Sequence, residues 1–361
     1  MRITNITAQI RSTPLKTPFK TALRAVSEVK DVYVTVETNS GIIGFGEAAP
    51  TAAITGETIP SIMSAIDGYI KPSLVGRDFS EFETMMNTLS KCIIGNTSAK
   101  AAVDMALYDI YSQSLKLPLF RFLGGSKTQI QTDVTISVND DATMLKDTLI
   151  ALEEGFTSLK IKVGTRGIAD ADTIIQIRKQ IGPIPAIRVD ANQCWGPKEA
   201  VTIIRLLEDA GADVELVEQP VPAKDLDGLT YVTNNTLTPI LADESVFSPA
   251  DAGEIIRRHA ADFINIKLMK TGGIFQALKI CSIAEAYGVK CMMGCMCESK
   301  ASVAAAAHLA AAKAIITMAD LDGPHLCKID PFEGGPSFNG PIIRMTEAPG
   351  IGVALRPSGQ R

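Results

Sequence analysis

Apolar and polar positions follow two different rhythms along the 361-residue chain, and the change of rhythm divides it. Residues 3–10, 31–38 and 42–48 alternate with period two, which predicts half-buried strands. Asn39, Ser40 and Gly41 supply hairpin chemistry between the second and third of these. Residues 61–70, 79–92 and 98–115 then place apolar side chains three and four apart, the spacing of a helix with one buried face. Two irregular stretches rich in Thr, Pro and Gly, 16–25 and 49–57, interrupt this part and predict mobile loops. Residues 1–125 are thus expected to form an α+β capping domain, with Gly124, Gly125 and Ser126 as the hinge out of it.

From about residue 130 the rhythm becomes strand, turn, helix. Strands are predicted at 131–138, 158–163, 186–190, 214–218, 240–243, 263–268, 290–294 and 315–319. Helical spacing fills 169–180, 198–210, 249–258 and 273–287 between them. Parallel strands need crossover helices, and eight of them close without leaving an edge, so 126–330 is predicted to be a (β/α)8-type, modified TIM barrel. The fold class is α/β with an α+β cap, and the tail, 331–361, is expected to return to that cap.

Composition leaves this picture intact and narrows the partners. Hydrophobic residues at 46% and charged residues at 21% suffice for a barrel core and a cap. A net charge of −5 gives no reason to expect nucleic acid or an anionic membrane. The most apolar stretch, 301–316, is mostly alanine, is broken by His308 and Lys313, and falls short of the roughly 20 residues a span needs. The first six residues alternate like a strand rather than a secretory signal, and the seven cysteines form no Cys-x-x-Cys pair. A cytoplasmic protein with reduced thiols is the expectation.

The chemistry lies at the predicted strand ends. Steps of 28, 25 and 24 positions separate Asp190, Glu218, Asp243 and Lys267 in turn, about one strand–helix unit each. They therefore stand on neighbouring strands at the barrel rim that holds active sites in this fold. Three converging carboxylates need a cation between them, and all-oxygen ligation suits Mg²⁺ or Mn²⁺. With only His259, His308 and His325, and no His-x-His, a histidine zinc site is poorly supported. Lysine must then serve as base, which requires its pKa to be lowered. Lys160 and Lys162 share one face of the second strand, and Lys267 ends the sixth, across the barrel from them.

In order and spacing, Lys160-Ile161-Lys162, Asp190-Ala191-Asn192, Glu218-Gln219-Pro220, Asp243-Glu244-Ser245 and Asn265-Ile266-Lys267 resemble the enolase superfamily, in particular its muconate lactonizing enzyme-like subgroup. The resemblance covers nearly the whole chain. It implies one Mg²⁺ per subunit, or Mn²⁺ in its place, on Asp190, Glu218 and Asp243. It also implies 1,1-proton transfer through an enediolate, with Lys162 and Lys267 as the acid/base pair and Lys160 beside the substrate carboxylate; lysine bases with Mg²⁺ are this superfamily's known chemistry.

Asp320-Leu321-Asp322 precedes Gly323-Pro324 and on local grounds is turn chemistry. In dipeptide epimerases of the subgroup an Asp-x-Asp at this place holds the substrate ammonium. Arg24 is similar to the lid arginine for a glutamyl carboxylate, and Thr135 and Cys297 match substrate-contact positions. The implied activity is epimerisation of a small dipeptide such as L-Ala-L-Glu at its C-terminal residue, in cell-wall peptide metabolism, with homo-oligomerisation left open. Muconate cycloisomerase, o-succinylbenzoate synthase and N-acyl amino acid racemase are alternatives on the same scaffold, and a non-catalytic metal-binding barrel is one of another class.

Overall fold

The computed structural model describes residues 1–356. An antiparallel sheet of Ile3–Lys20, Ala25–Thr38 and Ile43–Ala48 opens the chain. The first hairpin is longer than its hydrophobic pattern indicated. The stretch 16–25 is strand up to Lys20 and again from Ala25, with Phe19 opposite Val26, so only 21–24 turn. This end of the hairpin is largely exposed, so no buried face enforces alternation there.

The sheet packs on the helix Thr97–Ser114, which is buried for most of its length. Glycine permits the contact. A Cβ at Gly46 would lie 1.8 Å from the Ala102 carbonyl oxygen, and one at Gly44 would lie 2.2 Å from that of Ala106. The helix start is capped from outside by Glu57, which accepts from Ser98 N at 2.8 Å and Ala99 N at 3.1 Å.

Eight parallel strands follow: Val134–Ile136, Ser158–Lys162, Ala186–Asp190, Val214–Glu218, Ile240–Ala242, Phe263–Lys267, Lys290–Gly294 and Ile316–Asp320. They pair in chain order, and at the seam between first and eighth Asp133 N donates to Ala319 O at 3.1 Å. The first strand is shorter than the predicted 131–138. Gln129–Gln131 pairs instead with Ile342–Arg344, and the chain changes partners between 131 and 134. Among the described residues no helix is long and apolar enough to cross a membrane.

Carboxylates of the N-terminal unit dock on barrel helices. Asp104 accepts from Ile274 N and Phe275 N at 2.6 and 3.1 Å, at the start of Ile274–Tyr287. Glu47 accepts from Ser299 N and Ser302 N at 2.7 and 3.1 Å, at the start of Lys300–Ala312. Helix N-termini favour negative charge, so these contacts set the orientation of the two parts. Gly125, read from sequence as part of a hinge, is tightly packed: a Cβ there would meet Ala312 Cα at 2.4 Å. In the tail, Phe332 stacks edge-on to Tyr33 at 5.1 Å, and Ile351 N donates to Asp109 at 2.9 Å. Residues 357–361 of that tail lie outside the described residues.

Candidate active site

Register brings the strand-end residues to one level. Lys162 pairs with Asp190 and Asp190 with Glu218 along the ladder; on the other side Lys267 pairs with Gly294 and Gly294 with Asp320. On the second strand Leu159 and Ile161 are buried in the apolar core around the barrel, while Lys160 and Lys162 turn inward and are themselves buried. A strand's period of two requires this division.

The inward charges pair closely. Lys160 Nζ lies 2.7 Å from Glu218 Oε2, 2.7 Å from Asp320 Oδ2 and 3.1 Å from Asp190 Oδ2. Lys162 Nζ pairs with Asp190 Oδ2, and Lys267 Nζ with Asp243 Oδ2 at 2.8 Å. Lys270, which sequence reasoning did not single out, sits 2.6 Å from Asp243 Oδ1. Among the described residues no three His, Cys, Asp or Glu groups are drawn together as a metal shell. Ammonium groups stand between Asp190, Glu218 and Asp243.

The donor set nonetheless fits a hard divalent cation. Glu218 Oε2, Asp243 Oδ1, Glu244 Oε2 and Asn192 Oδ1 are buried oxygens that accept no hydrogen bond. The first two have only the charge of a lysine before them. Buried, hydrogen-bond-poor carboxylate oxygens are what Mg²⁺ takes, with water or a ligand completing its octahedron.

Charge state follows from the pairing. Against the upward push of burial, Lys162 and Lys160 hold the Asp190 carboxyl down at about 2. Burial, then the charges of Asp190 and Asp243, raise Glu218 to about 7. Burial, then Asp243 and Asp190, do the same to Glu244. The lowered lysine pKa expected from sequence is not what this arrangement gives. Burial lowers Lys267, but Asp243, Glu218 and Asp320 outweigh it and hold the ammonium above its usual value. Lys160 is raised in the same way, chiefly by Asp320 and Glu218 opposing burial.

Above these groups opens a pocket lined by Lys160, Lys162, Asp243 and Lys267 and by Arg24, Thr135, Cys297, Asp320 and Asp322. Asp190 and Glu218 do not reach its surface and lie behind Lys160. Thr135 N donates to Asp322 Oδ2 at 2.7 Å, so two of the expected substrate contacts touch each other. The Arg24 guanidinium makes no ion pair among the described residues.

Sequence reasoning missed several lining groups. Asn192 and Glu244 sit inside motifs whose neighbours were chosen, and Asn192 Nδ2 donates to Glu244 Oε1 at 3.3 Å. Phe19, Leu23, Ile54 and Leu326 supply apolar wall, and no motif marked them.

The chain has close relatives. Residues 3–124 match the mandelate racemase/muconate lactonizing enzyme N-terminal domain, and residues 144–359 match the enolase C-terminal domain-like family. It is 52% identical over 342 residues to an L-Ala-D/L-Glu epimerase of Clostridium acetobutylicum, across 95% of this chain and 96% of that protein. A substrate-liganded complex of the L-Ala-D/L-Glu epimerase from Bacillus subtilis, 49% identical, superposes with a TM-score of 0.97, covering 98% of this chain and 99% of its own. The dipeptide epimerase from Enterococcus faecalis V583, solved with Mg and L-Leu-L-Tyr, is 40% identical with a TM-score of 0.94, covering 98% and 100%. With matching models along most of its length and relatives at this identity, the chain belongs to the mandelate racemase/muconate lactonizing enzyme family of the enolase superfamily.

Proposed function

We propose that the protein is a magnesium-dependent dipeptide epimerase that inverts the α-carbon of the C-terminal residue of L-Ala-L-Glu or L-Ala-D-Glu. The observation that carries this is the placement of Lys162 and Lys267 on the second and sixth of eight strands, with the carboxylates Asp190, Glu218 and Asp243 between them. One lysine takes the α-proton from one face and the other returns a proton to the opposite face, which inverts the centre without an external acid.

Asp190, Glu218 and Asp243 would hold the cation, one per subunit, with Mn²⁺ accepted in place of Mg²⁺. When bound, Mg²⁺ would supply positive charge both to the substrate carboxylate, which becomes more negative as the α-proton leaves, and to the acids that pair with the lysines. Lys160 adds a second positive charge beside that carboxylate. Arg24, whose guanidinium has no carboxylate partner among the described residues, takes the glutamyl side chain by a charge-assisted pair. Asp322, with Asp320 beside it, takes the dipeptide's ammonium, while Thr135 orients Asp322 and Cys297 lines the side-chain pocket.

The division into a cap, 1–125, a barrel, 126–330, and a returning tail, 331–361, belongs to the same reading. The N-terminal part carries Arg24 and the barrel carries the lysines. All seven cysteines are free thiols, which supports a reducing cytoplasm; a role in cell-wall peptide metabolism there rests on the L-Ala-Glu substrate alone. Incubation with L-Ala-L-Glu and Mg²⁺ in D₂O is expected to give α-deuteration and the L,D product. A panel of dipeptides in which an acidic C-terminal residue has no advantage would overturn the role of Arg24.

A further inference from the structure

Lys270 has no part in the chemistry above, yet its side chain is fully buried beneath the site. Its Nζ donates to the backbone oxygens of Asp243 and of Asn265, the latter at 2.9 Å, and lies 2.6 Å from Asp243 Oδ1. Two of the ammonium's three N–H bonds are thus taken by backbone oxygens, and the Asp243 carboxylate stands at ion-pair distance from it.

The sheet explains why those oxygens are free to accept. Among the described residues the fifth strand pairs with the sixth at Leu241 with Phe263 and at Ala242 with Ile264, and the ladder stops there. The sixth strand goes on pairing with the seventh as far as Lys267 with Gly294. The next pair in the interrupted register would be Asp243 with Asn265. Their carbonyl oxygens are the two that Lys270 bridges. A side chain thus takes over from the ladder where Asp243 leaves the fifth strand and Lys267 stands on the sixth.

We propose that Lys270 is a positioning residue that clamps the open end of these two strands and so fixes Asp243 against Lys267. The inference rests on the acid/base roles given above to Lys162 and Lys267. Its consequence is one-sided. Lys162 stands on a strand whose ladder to its neighbour runs unbroken from Ser158 with Ala186 to Lys162 with Asp190, and it does not depend on the clamp.

The test is Lys270→Met, which keeps the length and removes the donors. Exchange of the α-hydrogen in D₂O is followed separately from L-Ala-L-Glu and L-Ala-D-Glu, with Lys162→Ala and Lys267→Ala marking which epimer each lysine serves. The expected result is a loss of at least about 10-fold from the epimer served by Lys267 and little change from the other. Equal slowing from both, or none, overturns the proposal, because a merely structural lysine has no reason to favour one face.

If wild-type protein exchanges neither epimer, the functional reading fails instead. The clamp is then read by amide hydrogen exchange of the metal-free protein. Protection is expected to fall at 243–245 and 265–267 and to hold in the second and third strands; unchanged or uniformly lost protection overturns it. Lys270→Gln is the variant used if Lys270→Met does not fold, and failure of both to fold overturns a role confined to two strand ends.

Discussion

Asp320 Oδ2 lies 2.7 Å from Lys160 Nζ, whereas Asp322, two residues on, faces a backbone N–H of Thr135. The two aspartates are therefore not equivalent. Asp320 is tied to Lys160, and in the proposed reading Asp322 is the one left for the substrate ammonium. Asp322→Asn is expected to raise KM for L-Ala-L-Glu by about 10- to 100-fold with a smaller effect on kcat, the loss of one charge-assisted hydrogen bond. Asp320→Asn is expected to lower kcat as well. Steady-state kinetics of the two variants separate these outcomes, and identical profiles would contradict the division of labour.

Gly294 leaves room for Lys267, the proposed base. A Cβ there would come 2.9 Å from Lys267 Cε and 2.7 Å from Asn265 Oδ1. Gly294→Ala is expected to displace the Lys267 side chain and lower kcat by about 10-fold or more, since a shift near 1 Å at a reacting group costs rates of that order. Thermal unfolding should change far less than turnover. Wild-type turnover in this variant would show that Lys267 does not need its present path.

His308 sets part of the acid stability. Its ring accepts from Phe120 N at 3.1 Å, and burial lowers its pKa from 6.5 to about 4. The unfolded state then binds a proton more readily than the folded one, so stability is fully present above pH 6.5 and is lost as pH falls toward 4. The effect amounts to up to about 3 kcal/mol across that window. Denaturant melts at stepped pH should show a flatter acid limb for His308→Leu, despite lower stability at pH 7. An unchanged slope would assign the acid loss to other groups.

Much of this arrangement was legible in the sequence because a parallel barrel repeats one unit. Spacing alone puts Asp190, Glu218, Asp243 and Lys267 on neighbouring strand ends, and the ladder registers then place Lys162, Asp190 and Glu218 at one level. What pattern could not supply was choice of partner. The predicted strand 131–138 is divided between two sheets, since Gln131 pairs with the tail and Val134–Ile136 with the barrel. The exposed end of the first hairpin has no core to impose a period, so it read as a loop. Lys270 resembles any surface helix lysine until the interrupted ladder beside it is seen. The raised Lys267 was likewise hidden, because a pKa depends on which carboxylate lies nearest and not on which type of residue is present.

The two-lysine scheme is tested most directly by α-hydrogen exchange in D₂O with Lys162→Ala and Lys267→Ala, each offered L-Ala-L-Glu and L-Ala-D-Glu with Mg²⁺. Each variant is predicted to abolish epimerisation while still exchanging the α-hydrogen of one epimer, and the surviving epimer is predicted to be opposite in the two variants. Epimerisation at the wild-type rate by either variant, or survival of the same epimer in both, would contradict two bases on opposite faces.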